Sequence, residues 1–191
     1  MALKDDVAKF LRTNPCINRI NFSLGGLKVY PSAYQKDVAD AVASGEILVR
    51  TKGPSGPGAG ASYDRNYDSF ELVPGFSISD PRHQAFLVHE STHAHFDIQT
   101  LGSHSGWDEE AASYLAEAIF QECAGTPPLG AEPIRLASRV VAKSVLAGTY
   151  WVPAVDAKDL AAKVAMEPLY KSAAIYVSNG FKRDVIHRML R

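Results

Sequence analysis

Residues 88–97 read Val88-His89-Glu90-Ser91-Thr92-His93-Ala94-His95-Phe96-Asp97. On a helix, His89 and His93 stand one turn apart on the same face, so both imidazoles can reach one point. That spacing suits two ring nitrogens holding one divalent ion at about 2.0–2.1 Å each. Glu90 is offset by one position, so its carboxylate can meet a water at the metal without becoming a ligand. Five residues thereby supply two ligands and a general base. A structural zinc site needs no such glutamate and is more often closed by four Cys or His side chains.

A catalytic zinc site of this kind takes a third protein ligand and keeps a fourth position open. The stretch Asp108-Glu109-Glu110-Ala111-Ala112-Ser113-Tyr114 offers it, on a helix reached through a loop of about eight residues, within the usual length of helix–helix connections. Small residues at Ala111, Ala112, Ser113 and Ala116 let two helices approach closely. Glu110 is the first candidate. Glu109 and Asp108 stay open as alternatives, because helix phase is not fixed to one residue by sequence.

His89-Glu90-x-x-His93 followed by Glu110 in Glu-Ala-Ala-Ser-Tyr resembles the gluzincin metallopeptidases. It resembles most their small versions, in which a Glu-Ala-x-Ala-Tyr helix supplies the third ligand. The likeness covers about residues 59–120 and includes an upstream Ala-Ser-Tyr-Asp hairpin. It implies zinc (Zn2+), a peptide-hydrolysing mechanism and an edge strand that holds an extended peptide. Thermolysin-like members carry Asp four residues after the glutamate ligand, where it orients a histidine. This chain has Tyr114 there, so Asp97, one further turn along the histidine face, is the candidate for that role. The metzincin pattern does not fit, since positions 96 and 99 are Phe96 and Gln99.

Other residues weigh less. His95 lies about 200° around the helix from His93 and should face away from the metal. His104, between the two ligand-bearing helices, is a loop residue with some access to the site, and His83 and His187 show no partner. Tyr63, Tyr114 and Tyr176 are candidates to hydrogen-bond a developing oxyanion. Tyr176 ranks first, because the Asn179-Gly180 turn after it can bring it over the site.

The elements that must position these residues read as α+β: a small antiparallel β-rich front half, about 1–78, with an edge strand, then a helical half, about 79–191. The whole is expected to form a single domain. Asp5–Leu11 reads as a helix stopped at Asn14-Pro15. Ile17–Phe22 reads as an imperfect strand, turning at Gly25-Gly26 into Leu27–Tyr30. Ser32 caps a helix to about Ser44, stopped by Gly45. Ile47–Arg50 is a strand candidate, and Ala61–Tyr63 with Ser69–Val73 forms a second hairpin. Gly53–Gly60 is too rich in glycine and proline for helix or central strand, and reads as a connector or as a flap over the site. Beyond Ser79 no strand is expected. Helices follow at about 80–99 (Pro81 in the first turn), 108–123, 134–146, 157–165, 169–177 and 181–190.

Composition bounds the rest. The chain has 191 residues, 46% hydrophobic and 21% charged, with a formal net charge of -1. Nothing in that balance calls for nucleic acid or an anionic membrane as partner. No run approaches the ~18–20 apolar residues of a membrane span, and the first residues lack a signal-peptide core. The expected location is cytoplasmic, or outside the cell by a route without a visible signal peptide. Cys16 and Cys123 form no CxxC pair and read as two buried thiols, a single bridge being the alternative.

The reading that follows is a zinc metallopeptidase acting on a peptide or protein substrate. A non-enzymatic, metal-stabilised binding or toxin-associated module is the runner-up, and a hydrolase of non-peptide amides shares the same residues. Substrate specificity and oligomeric state are not written in the sequence.

Overall fold

A computed structural model describes residues 3–52, 60–99, 103–170 and 175–177. The elements run in chain order as α1 (Leu3–Thr13), β1 (Phe22–Leu24), β2 (Leu27–Val29), a π-helical turn (Ala33–Val38), α2 (Ala39–Ser44), β3 (Leu48–Arg50), β4 (Ala61–Asp64) and β5 (Ser69–Leu72). Then come α3 (Pro81–Ile98), β6 (Ser103–Ser105), α4 (Gly106–Ala124), α5 (Pro133–Leu146), α6 (Ala154–Met166) and β7 (Ile175–Val177). The α+β class stands. The described residues form two compact units that interleave along the chain: 3–13 with 32–99, and 14–31 with 103–177.

In the first unit, α1 buries Val7, Phe10 and Leu11, which recur at the spacing of one helical face, and packs on α2 and the π-helical turn. Each such side chain removed from water is worth about 1.5–3 kcal/mol. Gly45 ends α2 at φ +83°, a left-handed conformation that glycine adopts without a Cβ clash. Three strands form a sheet in the order β3-β5-β4. β4 and β5 are the expected hairpin, with Tyr63 opposite Phe70, whereas β3 joins β5 in parallel. β4 is an edge of this sheet and packs on α3. Asp80 starts α3 by accepting the Arg82 N–H at 2.8 Å, and Pro81 occupies the first turn, where its missing N–H costs nothing.

In the second unit, α4 is the central helix, in contact with α5, α6 and β2. Ser105 Oγ accepts the Asp108 N–H at its start, with Asp108 and Glu109 in the positive first turn. At its end Gly125 takes φ +67°, and the Thr126 N–H reaches Gln121 O at 2.9 Å, a Schellman closure. Leu115, Ile119 and Phe120 are fully buried along it.

Several expectations are corrected. Ile17–Arg19 is a 3-10 turn; Ile17 and Ile20, three apart, are both buried by that period, and the strand starts later, at Phe22. Strands do occur after Ser79: β6 pairs with β7 in antiparallel fashion, and the expected helix over 169–177 is replaced by a 3-10 turn, Pro168–Tyr170, and β7. Ile175-Tyr176-Val177 is β-branched and aromatic, which suits a pleated strand. Ser103-His104-Ser105 carries no such preference and is a strand only through that distant partner. Cys16 and Cys123 are not free thiols but a disulfide, with Cα atoms 5.6 Å apart, joining the two chain segments of the second unit. Gly53–Gly60, except Gly60, lies outside the described residues, as does the expected last helix with His187.

Candidate metal centre

α3 carries the histidine pair, and it is buried on nearly every side from Leu87 to Asp97. His89 and His93 are 6% and 7% exposed, and their Nε2 atoms stand 3.3 Å apart. Two nitrogens, each about 2.0–2.1 Å from one ion and at the tetrahedral angle, lie about 3.3–3.4 Å apart. Side-chain placement alone thus meets the requirement for two ligands. The buried carboxylate of Glu110, on α4, belongs to the same group: one donor atom each of His89, His93 and Glu110 lie within 4.8 Å of one another. Two imidazoles and one carboxylate form a donor set that can hold a metal ion, and it is the set of three that leaves a further position open in zinc sites.

The alternatives for the third ligand are otherwise placed. Glu109 is fully buried and pairs with His104 Nε2. Asp108 belongs to the helix cap and sits by the Gly25 turn, and partial burial raises its pKa. Neither belongs to the group of three.

Glu90 is half-buried and stands outside the donor set. Its Oε2 accepts the backbone N–H of Tyr63 at 2.7 Å. Tyr63 is on β4, and hydrogen bonding alternates along an antiparallel pair. Val73 N–H donates to Gly60 O, so Ser62 and Asp64 turn towards β5 while Ala61 and Tyr63 face the open edge. Glu90 therefore sits against the edge of the sheet.

Below the motif, Asp97 Oδ2 accepts the Tyr63 phenol at 3.0 Å, and Asp68 Oδ1 is 3.3 Å from the same oxygen. Burial, and then the two carboxylates, push the Tyr63 pKa up, so the phenol stays a donor. The pairing of Asp97 with Tyr63 is not legible in the sequence, because 34 residues separate them. Thr92 Oγ and the buried Tyr34 hydroxyl bond at 2.8 Å and fix a further side of α3.

The remaining candidates have these positions. His95 is fully buried with Nδ1 3.7 Å from Asp37 Oδ2, on another side of the helix from the pair. His83 stacks on Phe76 and accepts the Ser77 N–H. Tyr114 shares a hydrogen bond with Tyr170 at 3.1 Å under the Arg135 guanidinium, and burial pushes its pKa up to about 12. Tyr176 is described through its backbone, on β7 opposite His104.

Comparison with known proteins adds no family. No family model matches the chain, and neither the curated proteins nor the solved structures yield a match. Among the described residues, no helix is long and apolar enough to cross a membrane.

Proposed function

We propose that this chain is a zinc-dependent hydrolase of peptide bonds, with His89, His93 and Glu110 holding the metal and Glu90 as the general base. The observation that carries this reading is the division of labour on α3. Two histidines converge with Glu110, while the carboxylate one residue from His89 is turned to a backbone N–H. A purely structural metal site has no use for that separation.

Zinc bound by these residues supplies Lewis acidity, lowering the pKa of water towards ~7 and polarising a carbonyl. Glu90 takes the proton of the attacking water on a carboxylate oxygen and delivers it to the leaving amine. The burial of the donor set keeps bulk water from competing for it. An extended peptide is the substrate class that suits β4, because an edge strand offers backbone groups for strand addition, here those of Ala61 and the carbonyl of Tyr63, whose N–H is already bound to Glu90.

The test pairs metal content with turnover. Purified protein should carry about one zinc per chain, lost in His89→Ala and in His93→Ala. Glu90→Gln should keep the zinc and lose kcat by about 10²–10⁴-fold, with little change in substrate affinity. Hydrolysis of a peptide library that chelator abolishes, zinc restores and Glu90→Gln lacks supports the reading. Activity that survives in Glu90→Gln sinks it.

A further inference from the structure

We propose that Tyr63 is the positioning residue for Glu90: its phenol, held by Asp97, locks β4 onto α3 so that its own backbone N–H aims the Glu90 carboxylate. The inference rests on the hydrolase reading for its kinetic consequence and on geometry alone for the contact.

One residue makes two bonds to one helix, at points two turns apart. The Tyr63 N–H donates to Glu90 Oε2 at 2.7 Å, and the Tyr63 O–H donates to Asp97 Oδ2 at 3.0 Å. Glu90 and Asp97 are seven residues apart on α3, so they lie on nearly the same face. A strand bridging that interval cannot slide along the helix without breaking one bond. A second carboxylate, Asp68, lies 3.3 Å from the phenol oxygen, and Phe70 packs its ring against that of Tyr63 at 5.6 Å. The phenol is thus fixed from the strand side as well as the helix side.

The N–H···carboxylate bond occupies one oxygen of Glu90 and fixes the plane of the group. Its loss removes one restraint on the carboxylate, and a displacement of about 1 Å at a reacting group can cost on the order of 10²-fold in rate. The bond is charge-assisted and short, the kind that orients strongly. A register slip of one residue would also turn every side chain of β4 to the other face of the sheet. The phenol is therefore well placed to guard that register.

The experiment uses the full chain in zinc-loaded and chelated forms. Tyr63→Phe keeps the ring and the backbone N–H but removes the anchor. It should keep the zinc, lower kcat by about tenfold to a hundredfold and change KM by less than about threefold. A merely structural tyrosine would lower the melting temperature and leave kcat per folded molecule unchanged. The independent readout is the residue-63 amide in NMR. Its proton should resonate far downfield in the wild type, move upfield in Glu90→Gln, and exchange with solvent at least about tenfold faster in Tyr63→Phe. An amide that ignores Glu90→Gln, or a Tyr63→Phe enzyme with wild-type kcat, overturns the proposal. If the wild type hydrolyses nothing, the hydrolase reading falls, and the amide response decides the strand–helix contact without it.

Discussion

The two long helices that carry the candidate ligands are held in different ways. On α3, Thr92 meets the Tyr34 hydroxyl, Asp97 the Tyr63 phenol and Glu90 the Tyr63 N–H, while His95 lies by the Asp37 carboxylate. On α4, Glu117 pairs with the Arg135 guanidinium and Glu122 with that of Arg139, both from α5, and Glu109 meets the His104 imidazole. The unit that contains α4 is also cross-linked by Cys16–Cys123. A buried cation beside the histidine pair would oppose a metal ion there by like-charge repulsion. The helix that supplies a carboxylate has the opposite need, since several buried acids on one helix repel unless each is matched.

The contrast can be broken at its strongest point first. Replacing both cysteines by serine frees a loop whose ends are 107 residues apart. Chain-entropy arguments value a cross-link over such a loop at about 4–5 kcal/mol. We expect a fall of that order in unfolding free energy, measured by urea titration; an unchanged midpoint would mean that the bridge contributes nothing.

A single cation comes next. The side chains of Arg135 and Glu117 are 12% and 2% exposed, so Arg135→Leu leaves a buried carboxylate without its main counter-ion. The expected cost is about 3–5 kcal/mol. Replacing Glu117 by Leu as well should recover most of it, since an apolar pair of similar volume has no charge to solvate. A double variant no more stable than Arg135→Leu would show that the ion pair does not carry the contact between α4 and α5.

The smallest effect belongs to α3. Tyr34→Phe removes one hydroxyl from Thr92, whose own O–H still reaches Val88 O at 3.0 Å. A loss of about 1 kcal/mol is expected, with zinc content unchanged. A loss comparable to that of Arg135→Leu would erase the distinction between the two helices.

The site was more legible in the sequence than the frame around it. His89, Glu90 and His93 are neighbours on one helix, and their geometry follows from helical spacing alone. Glu110 required only a second helix after a short connection, although the true start of that helix at Gly106 and its Ser105 cap are seen only in the structure. What sequence did not give depends on partners far along the chain. Cys16 and Cys123 are too distant for their spacing to signal a bridge. β6 has no strand character of its own, and β3 joins β5 in parallel on the side away from β4, although β4 lies between them in the chain. The bond from Tyr63 to Asp97 depends on strand register, which local pattern cannot fix without the partner helix.

The interleaving of the two units orders events in time. During synthesis, residues 14–31 emerge first among the pieces of the second unit, and then wait while the first unit is made. At roughly 5–20 residues per second, the wait before α4 is complete is about 5–20 s. Through that interval β2 lacks α4, the helix it packs on, and Cys16 must persist as a thiol. The histidine pair precedes Glu110 in the chain, so a nascent chain carries two of the candidate ligands before it carries the third.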